Sequence, residues 1–214
     1  MQVLITGANR GVGQALAALY RDAGHAVIGT ARDGSGDELL DVTDPGQQAA
    51  LGKRLEGQPI DLLICNAGVY LDKGQKLDGG FPADMWAREF AVNVTGVFLT
   101  VQALLPNLRL AKDAKIAIIS SQMASHERAP GGSYIYRASK AAALNLGRNL
   151  SSDLKHEGIA VGIYHPGWVQ TDMGGQAAEI TVSQAAAGLA GRFDHLSLTT
   201  TGCFETWDGR AHPY

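Results

Sequence analysis

Short apolar runs recur along this chain, separated by longer stretches in which apolar positions return at helical spacing. Gln2–Ile5, Ala26–Thr30, Glu38–Asp41, Leu62–Cys65, Lys115–Ile119, Ala160–Tyr164 and Cys203–Thr206 read as strands. Several are apolar at nearly every position, which is how strands buried on both faces read. Strands that alternate with helices predict an α/β fold, a doubly wound parallel sheet of about seven strands with helices on both faces.

Turn chemistry sets the boundaries. Gly24, Gly57 and Gly158 follow helical stretches, while Asp44-Pro45 and Pro82 open others. Pro106 falls late in the pattern from Ala83 to Leu110 and is expected to kink or end that helix. Between Thr30 and Glu38 too few residues intervene for a crossover helix, so a bare loop is expected there. Neither a repeat nor a linker interrupts the pattern, and one domain over residues 1–214 is expected.

Charge and composition narrow the function. Of the 214 residues 18% are charged, with a net charge of −3, so no basic surface exists to condense on phosphate backbones or anionic lipid. Neither nucleic acid nor membrane is an expected partner. The chain enters MQVLITG without a basic leader, and no uninterrupted apolar run reaches the roughly 18 to 20 residues of a membrane span, so a cytoplasmic protein is expected. Cys65 and Cys203 lack metal-ligand spacing and read as buried thiols, and the histidines do not cluster, so no metal site is expected.

Several segments carry candidate chemistry. The first strand runs into Thr6-Gly7-Ala8-Asn9-Arg10-Gly11-Val12-Gly13 and then a helix. Glycines there let the backbone approach a pyrophosphate at a helix N-terminus, although a merely tight turn has the same look. Asn66-Ala67-Gly68 ends the fourth strand, where asparagine can bond neighbouring strand backbone. Tyr136 and Lys140 stand at i and i+4 on a helical stretch from Ser133 to Glu157, where an ammonium beside a phenol favours phenolate. Ser121 follows the fifth strand and is placed to donate to a carbonyl oxygen; Ser120 is the alternative, with Ser121 then only capping a turn. Asn93 lies in an apolar helix, as a functional amide or as one satisfied by backbone. Pro166, Gly167, Val169 and Thr171 belong to a loop after the sixth strand that can close over a ligand or form a plain proline turn.

In this order, these segments resemble the short-chain dehydrogenase/reductase family over nearly the whole chain, and within it the C-factor-like and sniffer-type carbonyl reductases. The resemblance implies a Rossmann-type domain that binds a dinucleotide through Gly7, Asn9, Arg10, Gly11, Val12 and Gly13, with Asp41 and Val42 beside the adenine and Asn66, Ala67 and Gly68 supporting the sheet. It further implies that Asn93, Ser121, Tyr136 and Lys140 catalyse hydride exchange with a small carbonyl or alcohol, Lys140 also touching the nicotinamide ribose. The spacing from Ser121 to Tyr136 is longer than in common members, the extra length falling between Ala124 and Ser133.

Arg32 at the end of the second strand and Arg10 in the glycine loop are expected to converge on a 2′-phosphate, so NADP(H) is the expected cofactor. Asp33, one residue on, leaves NAD(H) open. The stretch from Gly174 to Ile180 is a short lid, which implies an open site with Met123, Tyr134, Trp168 and Met173 as candidate walls. Homodimers and homotetramers are both compatible with the resemblance. The competing reading is a dinucleotide-binding sensor without turnover. An epimerase or dehydratase of the extended relatives would need a substrate domain for which the chain has no room.

Overall fold

The computed structural model describes residues 1–127 and 129–214. Its strands are β1 (Gln2–Thr6), β2 (Ala26–Ala31), β3 (Glu38–Leu39), β4 (Leu62–Cys65), β5 (Lys115–Ile119), β6 (Ala160–His165) and β7 (Phe204–Thr206). They form one seven-stranded sheet in the order β3-β2-β1-β4-β5-β6-β7, every neighbouring pair parallel. The order reverses between β1 and β4, and a crevice at the carboxyl ends of those strands is where an open α/β sheet binds ligands.

The helices are α1 (Gly11–Asp22), α2 (Pro45–Arg54), α3 (Ala83–Phe90), α4 (Gly96–Leu108), α5 (Tyr134–Lys155) and α6 (Val182–His195). A π-helical turn, Ala91–Thr95, joins α3 to α4 without a break. One face of the sheet buries Leu4, Leu63 and Ile116 against Leu51 of α2 and Val101, Leu104 and Leu108 of α4; the other buries Val3, Ile5 and Ala117 against Leu16 of α1 and Leu189 and Phe193 of α6. Helices thus cover both faces, as the near-continuous apolar strands require.

Departures from the expected boundaries have local causes. Strands β1, β2 and β6 each run one residue further, because pairing continues through Thr6↔Thr30 and His165↔Thr206 and Ala31 pairs with Leu39. Strand β3 stops at Leu39 rather than Asp41, since the Asp41 carboxylate accepts from the Thr43 backbone N–H at 2.9 Å and its hydroxyl at 2.7 Å, turning the chain out of register. The β2–β3 connection has no helix. Asp37 bridges it by accepting from the Gly29 N–H at 2.7 Å. Helix α4 passes Pro106 and ends two residues later, at Leu108.

The continuous helix Ala83–Leu108 is, among the described residues, the one helix long and apolar enough to cross a membrane, with a hydropathy of 1.4 over its most apolar window. A search for uninterrupted apolar runs passes it over because Arg88, Glu89 and Asn93 divide it. Its apolar side packs Val97, Val101, Leu104 and Leu108 into the core. Both cysteines are free thiols, Cys65 buried as expected and Cys203 only half-buried.

Candidate active site

Thr6 and Asn66 tie the carboxyl ends of β1 and β4 together. The Thr6 hydroxyl accepts from the Asn66 and Ala67 backbone N–H groups, both at 3.0 Å, and the Asn66 side-chain amide donates to the carbonyls of Thr6 and Gly7, also at 3.0 Å. The sequence reading of Asn66 as a strand-bonding residue is realised. Above this junction the glycine loop turns into α1. Gly7 and Gly11 hold left-handed φ angles of 66° and 55°, and a methyl group at Gly13 would lie 2.3 Å from the Gly7 carbonyl oxygen. No side chain caps α1, so its first N–H groups are left for a ligand. A close-approach backbone cradle with uncapped amides fits a pyrophosphate.

The adenosine end differs from expectation. Arg10 pairs with Asp172 at 3.0 Å, both side chains largely exposed, so it reaches across to the loop after β6 rather than toward Arg32. Asn9 makes the contact with the end of β2 instead, donating to Asp33 at 3.0 Å. Hydrogen bonds from Ser35 and Asn9 hold the Asp33 carboxyl below its usual range. Arg32 is exposed at the strand end and helps to lower the neighbouring Asp41 carboxyl, for which the Thr43 N–H is the main cause. Val42 is buried and packs against Gly96, where a methyl would meet its Cγ2 at 2.8 Å.

Tyr136 and Lys140 emerge from the first turns of α5, 7% and 5% exposed, with Lys140 Nζ 5.7 Å from the Tyr136 ring centre. The two serines separate cleanly. Ser120 donates to the Lys140 carbonyl at 3.0 Å and is thereby used in joining β5 to α5. Ser121 caps the short 3₁₀ turn Gln122–Ala124 by accepting from the Met123 N–H at 3.1 Å, and its hydroxyl is close enough to the Tyr136 phenol to favour the phenolate. Capping and contact with the phenol coexist in one side chain. Arg128, inside the stretch that lengthens the Ser121–Tyr136 spacing, lies outside the described residues.

Asn93 is 1% exposed and occupies the π-helical turn. Its oxygen accepts from the Val69 N–H at 2.9 Å, and its nitrogen donates to the Val69 carbonyl at 2.9 Å and to the Ser139 hydroxyl at 3.0 Å. Ser139 in turn donates to the Tyr136 carbonyl at 2.9 Å. Asn93 is therefore a satisfied buried amide that also braces the start of α5. A methyl at Gly68 would come within 3.3 Å of both the Asn93 oxygen and Lys140 Nζ, so these groups converge on the end of β4.

Burial pushes the Tyr136 phenol above its ordinary range, the Ser121 hydrogen bond opposing this and the nearby carboxyls of Glu89 and Asp72 reinforcing it. The lowering of the phenol expected from Lys140 does not occur, because desolvation dominates. Burial likewise brings Lys140 down to about 8, with Glu89 opposing. The Lys140 ammonium donates to the Ile119 carbonyl at 3.0 Å.

The pattern reading missed the loop after β4. Tyr70 stacks on Tyr136 with ring centres 4.1 Å apart, and its hydroxyl hydrogen-bonds Ser133. Asp72 caps α5, accepting from the N–H groups of Ile135 at 2.8 Å and Tyr136 at 3.4 Å, while Ser133, at φ 49°, makes no cap with its own side chain. Nothing in local spacing marks Asp72 as the cap of a helix 63 positions later. Only buried carboxyl chemistry in three dimensions reveals it.

Across the crevice, Gly167 takes φ 89° against Ile180 and Trp207, and Thr171 lies alongside Gly11, its methyl 3.4 Å from where a Cβ would stand. The segment from Trp168 to Ile180 folds back on itself: Ile180 donates to the Trp168 carbonyl at 3.2 Å and the Trp168 indole to the Gly174 carbonyl at 2.9 Å. Lys73 fastens it to the loop after β4 by donating to the Met173 carbonyl at 2.9 Å. Tyr134, Trp168 and Met173 remain 41%, 45% and 37% exposed.

The family model described as short chain dehydrogenase matches residues 1–180. The 1-hydroxy-2-glutathionyl-2-methyl-3-butene dehydrogenase of Rhodococcus sp. (strain AD45) is 34% identical, covering 97% of this chain and 96% of that protein. The chain belongs to the short-chain dehydrogenase family. As a short-chain dehydrogenase it is an oxidoreductase, and its fold follows solved carbonyl reductases end to end. The Sniffer carbonyl reductase of D. melanogaster superposes with a TM-score of 0.93 at 25% identity, covering 100% of this chain and 99% of that one. An NADPH-bound carbonyl reductase from chicken fatty liver superposes with a TM-score of 0.89 at 29% identity, covering 100% of this chain and 98% of that one. Within this short-chain dehydrogenase, the segments that meet at the crevice are those by which the sequence resembled the family.

Proposed function

We propose that this chain is an NADP(H)-dependent reductase of small carbonyl compounds, running also as an alcohol dehydrogenase, with Tyr136 as its proton donor. The convergence of Ser121, Tyr136 and Lys140 carries the reading: a buried hydroxyl, phenol and ammonium gather at the carboxyl edge of the sheet. The uncapped start of α1 and the glycines at 7, 11 and 13 would hold a dinucleotide, which supplies the hydride when bound. Ser121 and Tyr136 both offer O–H donors to one carbonyl oxygen; Ser121 holds it in place while Tyr136 passes its proton to that oxygen. Lys140, next to the phenol, favours the phenolate left behind. Asn93 holds Val69 and Ser139, and so keeps the first turn of α5 in place.

The short, self-folded segment after β6 and the exposed walls at Tyr134, Trp168 and Met173 favour loose specificity. A panel of aldehydes and ketones should show NADPH oxidation with KM values spread within about tenfold, near the upper end of the usual enzyme range. Tight selection of one ketone over its near analogues would contradict the open site.

NADPH is the expected partner because Arg32, exposed at the end of β2, offers a fork of donors to a 2′-phosphate, and because a carbonyl reductase of the same fold binds NADPH. Arg10 is held by Asp172, so the two arginines should contribute unequally. Arg32→Ala is expected to narrow the ratio of kcat/KM for NADPH over NADH by about tenfold or more, and Arg10→Ala by less. A wild-type preference for NADH would overturn this and point to Asp33, which Asn9 and Ser35 hold at the same strand end.

A further inference from the structure

Below Tyr136 and Lys140 lie two carboxyl groups that carbonyl reduction does not require. Glu89 of α3 and Asp72 of the loop after β4 are both 0% exposed. One Glu89 oxygen accepts from the Leu71 N–H at 2.9 Å, and one Asp72 oxygen accepts from the N–H groups that start α5. The other oxygen of each, Glu89 Oε1 and Asp72 Oδ1, is buried with no hydrogen-bond partner. An ionised carboxylate left so is costly, and two together are worse, since like charges out of water repel strongly. A proton on Glu89 removes one of the two charges and with it the repulsion.

The titratable groups around Glu89 are Asp72 from the loop and Tyr136 and Lys140 from α5. Burial raises Glu89 to about 7; the Leu71 hydrogen bond and Lys140 oppose this, and Asp72 adds to it.

We propose that Glu89 is a positioning residue that carries a proton beside Asp72, and that loss of this proton places a negative charge behind the Tyr136–Lys140 pair, setting the pH range in which Tyr136 gives up its own proton. The proposal rests on the reading of Tyr136 as the acid. Its sign is definite. Ionisation of Glu89 disfavours phenolate at Tyr136 and favours ammonium at Lys140. Removing that charge lets Tyr136 ionise at lower pH.

Glu89→Gln tests this without emptying the site, because a glutamine oxygen still accepts from Leu71 but the group no longer titrates. The alkaline limb of kcat for carbonyl reduction should move down by about half a pH unit or more, a roughly threefold loss on that flank, with little change at acidic pH. A merely structural role would scale the whole profile instead. Infrared titration of the cofactor-free protein between about pH 5 and 9 gives an arm independent of turnover. A protonated-carboxyl band that titrates near neutrality should be present in wild type and missing in Glu89→Gln. It should titrate at lower pH in Asp72→Asn, where the like charge is gone. If no such band depends on Glu89, or if the alkaline limb stays in place in Glu89→Gln, the proposal is wrong. A band behaving as expected in a protein that reduces no carbonyl would sink the reading of Tyr136 while leaving the proton on Glu89 established.

Discussion

Tyr136→Phe is expected to lower kcat by about a hundredfold or more while leaving the dissociation constant for NADPH within about twofold. The substitution removes one oxygen and leaves the ring, so the stack on Tyr70 at 4.1 Å and the packing at the start of α5 persist. Ser121 keeps its bond to the Met123 N–H and stays in place. On the proposed mechanism, what disappears is the transferable proton and one of the two donors to the substrate oxygen. Lys140→Ala should differ in kind. Its ammonium bonds the Ile119 carbonyl and stands beside Asn93 near Gly68, so its loss should weaken cofactor binding as well as turnover. Stopped-flow turnover and fluorescence titration with NADPH separate the two. A Tyr136→Phe enzyme retaining more than about a tenth of the normal rate would remove the phenol from the acid role.

How much of this was legible beforehand depends on whether the signal was local. The strand pattern, the helix-free step from β2 to β3, and the placement of the glycine loop all rest on short-range periodicity and turn chemistry, whereas the order of the strands in the sheet is set by long-range pairing that local spacing does not report. Tyr136 and Lys140 were visible because i,i+4 spacing on a helix guarantees a common face. Ser121 could be placed at the sheet edge but not distinguished from Ser120, because that choice depends on Ser120 being engaged by the Lys140 carbonyl. Arg10 departs from its expected place beside Arg32 for a similar reason. Sequence gave both the right chemistry, yet Arg10 meets Asp172, a residue 162 positions away, and no spacing rule reports such a contact. Tyr70, Asp72 and Glu89 had no motif at all. Their interest comes from burial, and burial of single polar residues is decided by tertiary packing rather than by pattern.

Gly13→Ala is expected to be the most damaging small substitution outside the catalytic side chains. The added methyl would stand 2.3 Å from the Gly7 carbonyl oxygen and 2.4 Å from the Asn66 side-chain nitrogen. Neither neighbour can yield cheaply: the Asn66 amide donates to the Thr6 and Gly7 carbonyls, both at 3.0 Å, and those bonds join β1 to β4 at the point where the sheet order reverses. Making room means lifting α1 away from the glycine loop, which loses buried packing at Leu16 and Ala17 and moves the uncapped N–H groups that would meet a pyrophosphate. Overpacking of this kind costs about 1 to 3 kcal/mol, which for a domain of this size lowers the melting temperature by about 2 to 12 °C. NADPH affinity should fall at least about tenfold, because the loss acts on the phosphate cradle itself. Gly191→Ala, in the interior of α6, is the matched control: a methyl there has no neighbour within 4 Å, so it should leave NADPH affinity unchanged and stabilise the protein by about 0.5 to 1 kcal/mol through the lower entropy of its unfolded chain. Calorimetry and cofactor titration of the two variants together decide the matter. If Gly13→Ala melts like wild type and binds NADPH normally, then α1 can move off the loop at little cost, and the close approach at Gly13 is not what holds the cofactor cradle in shape.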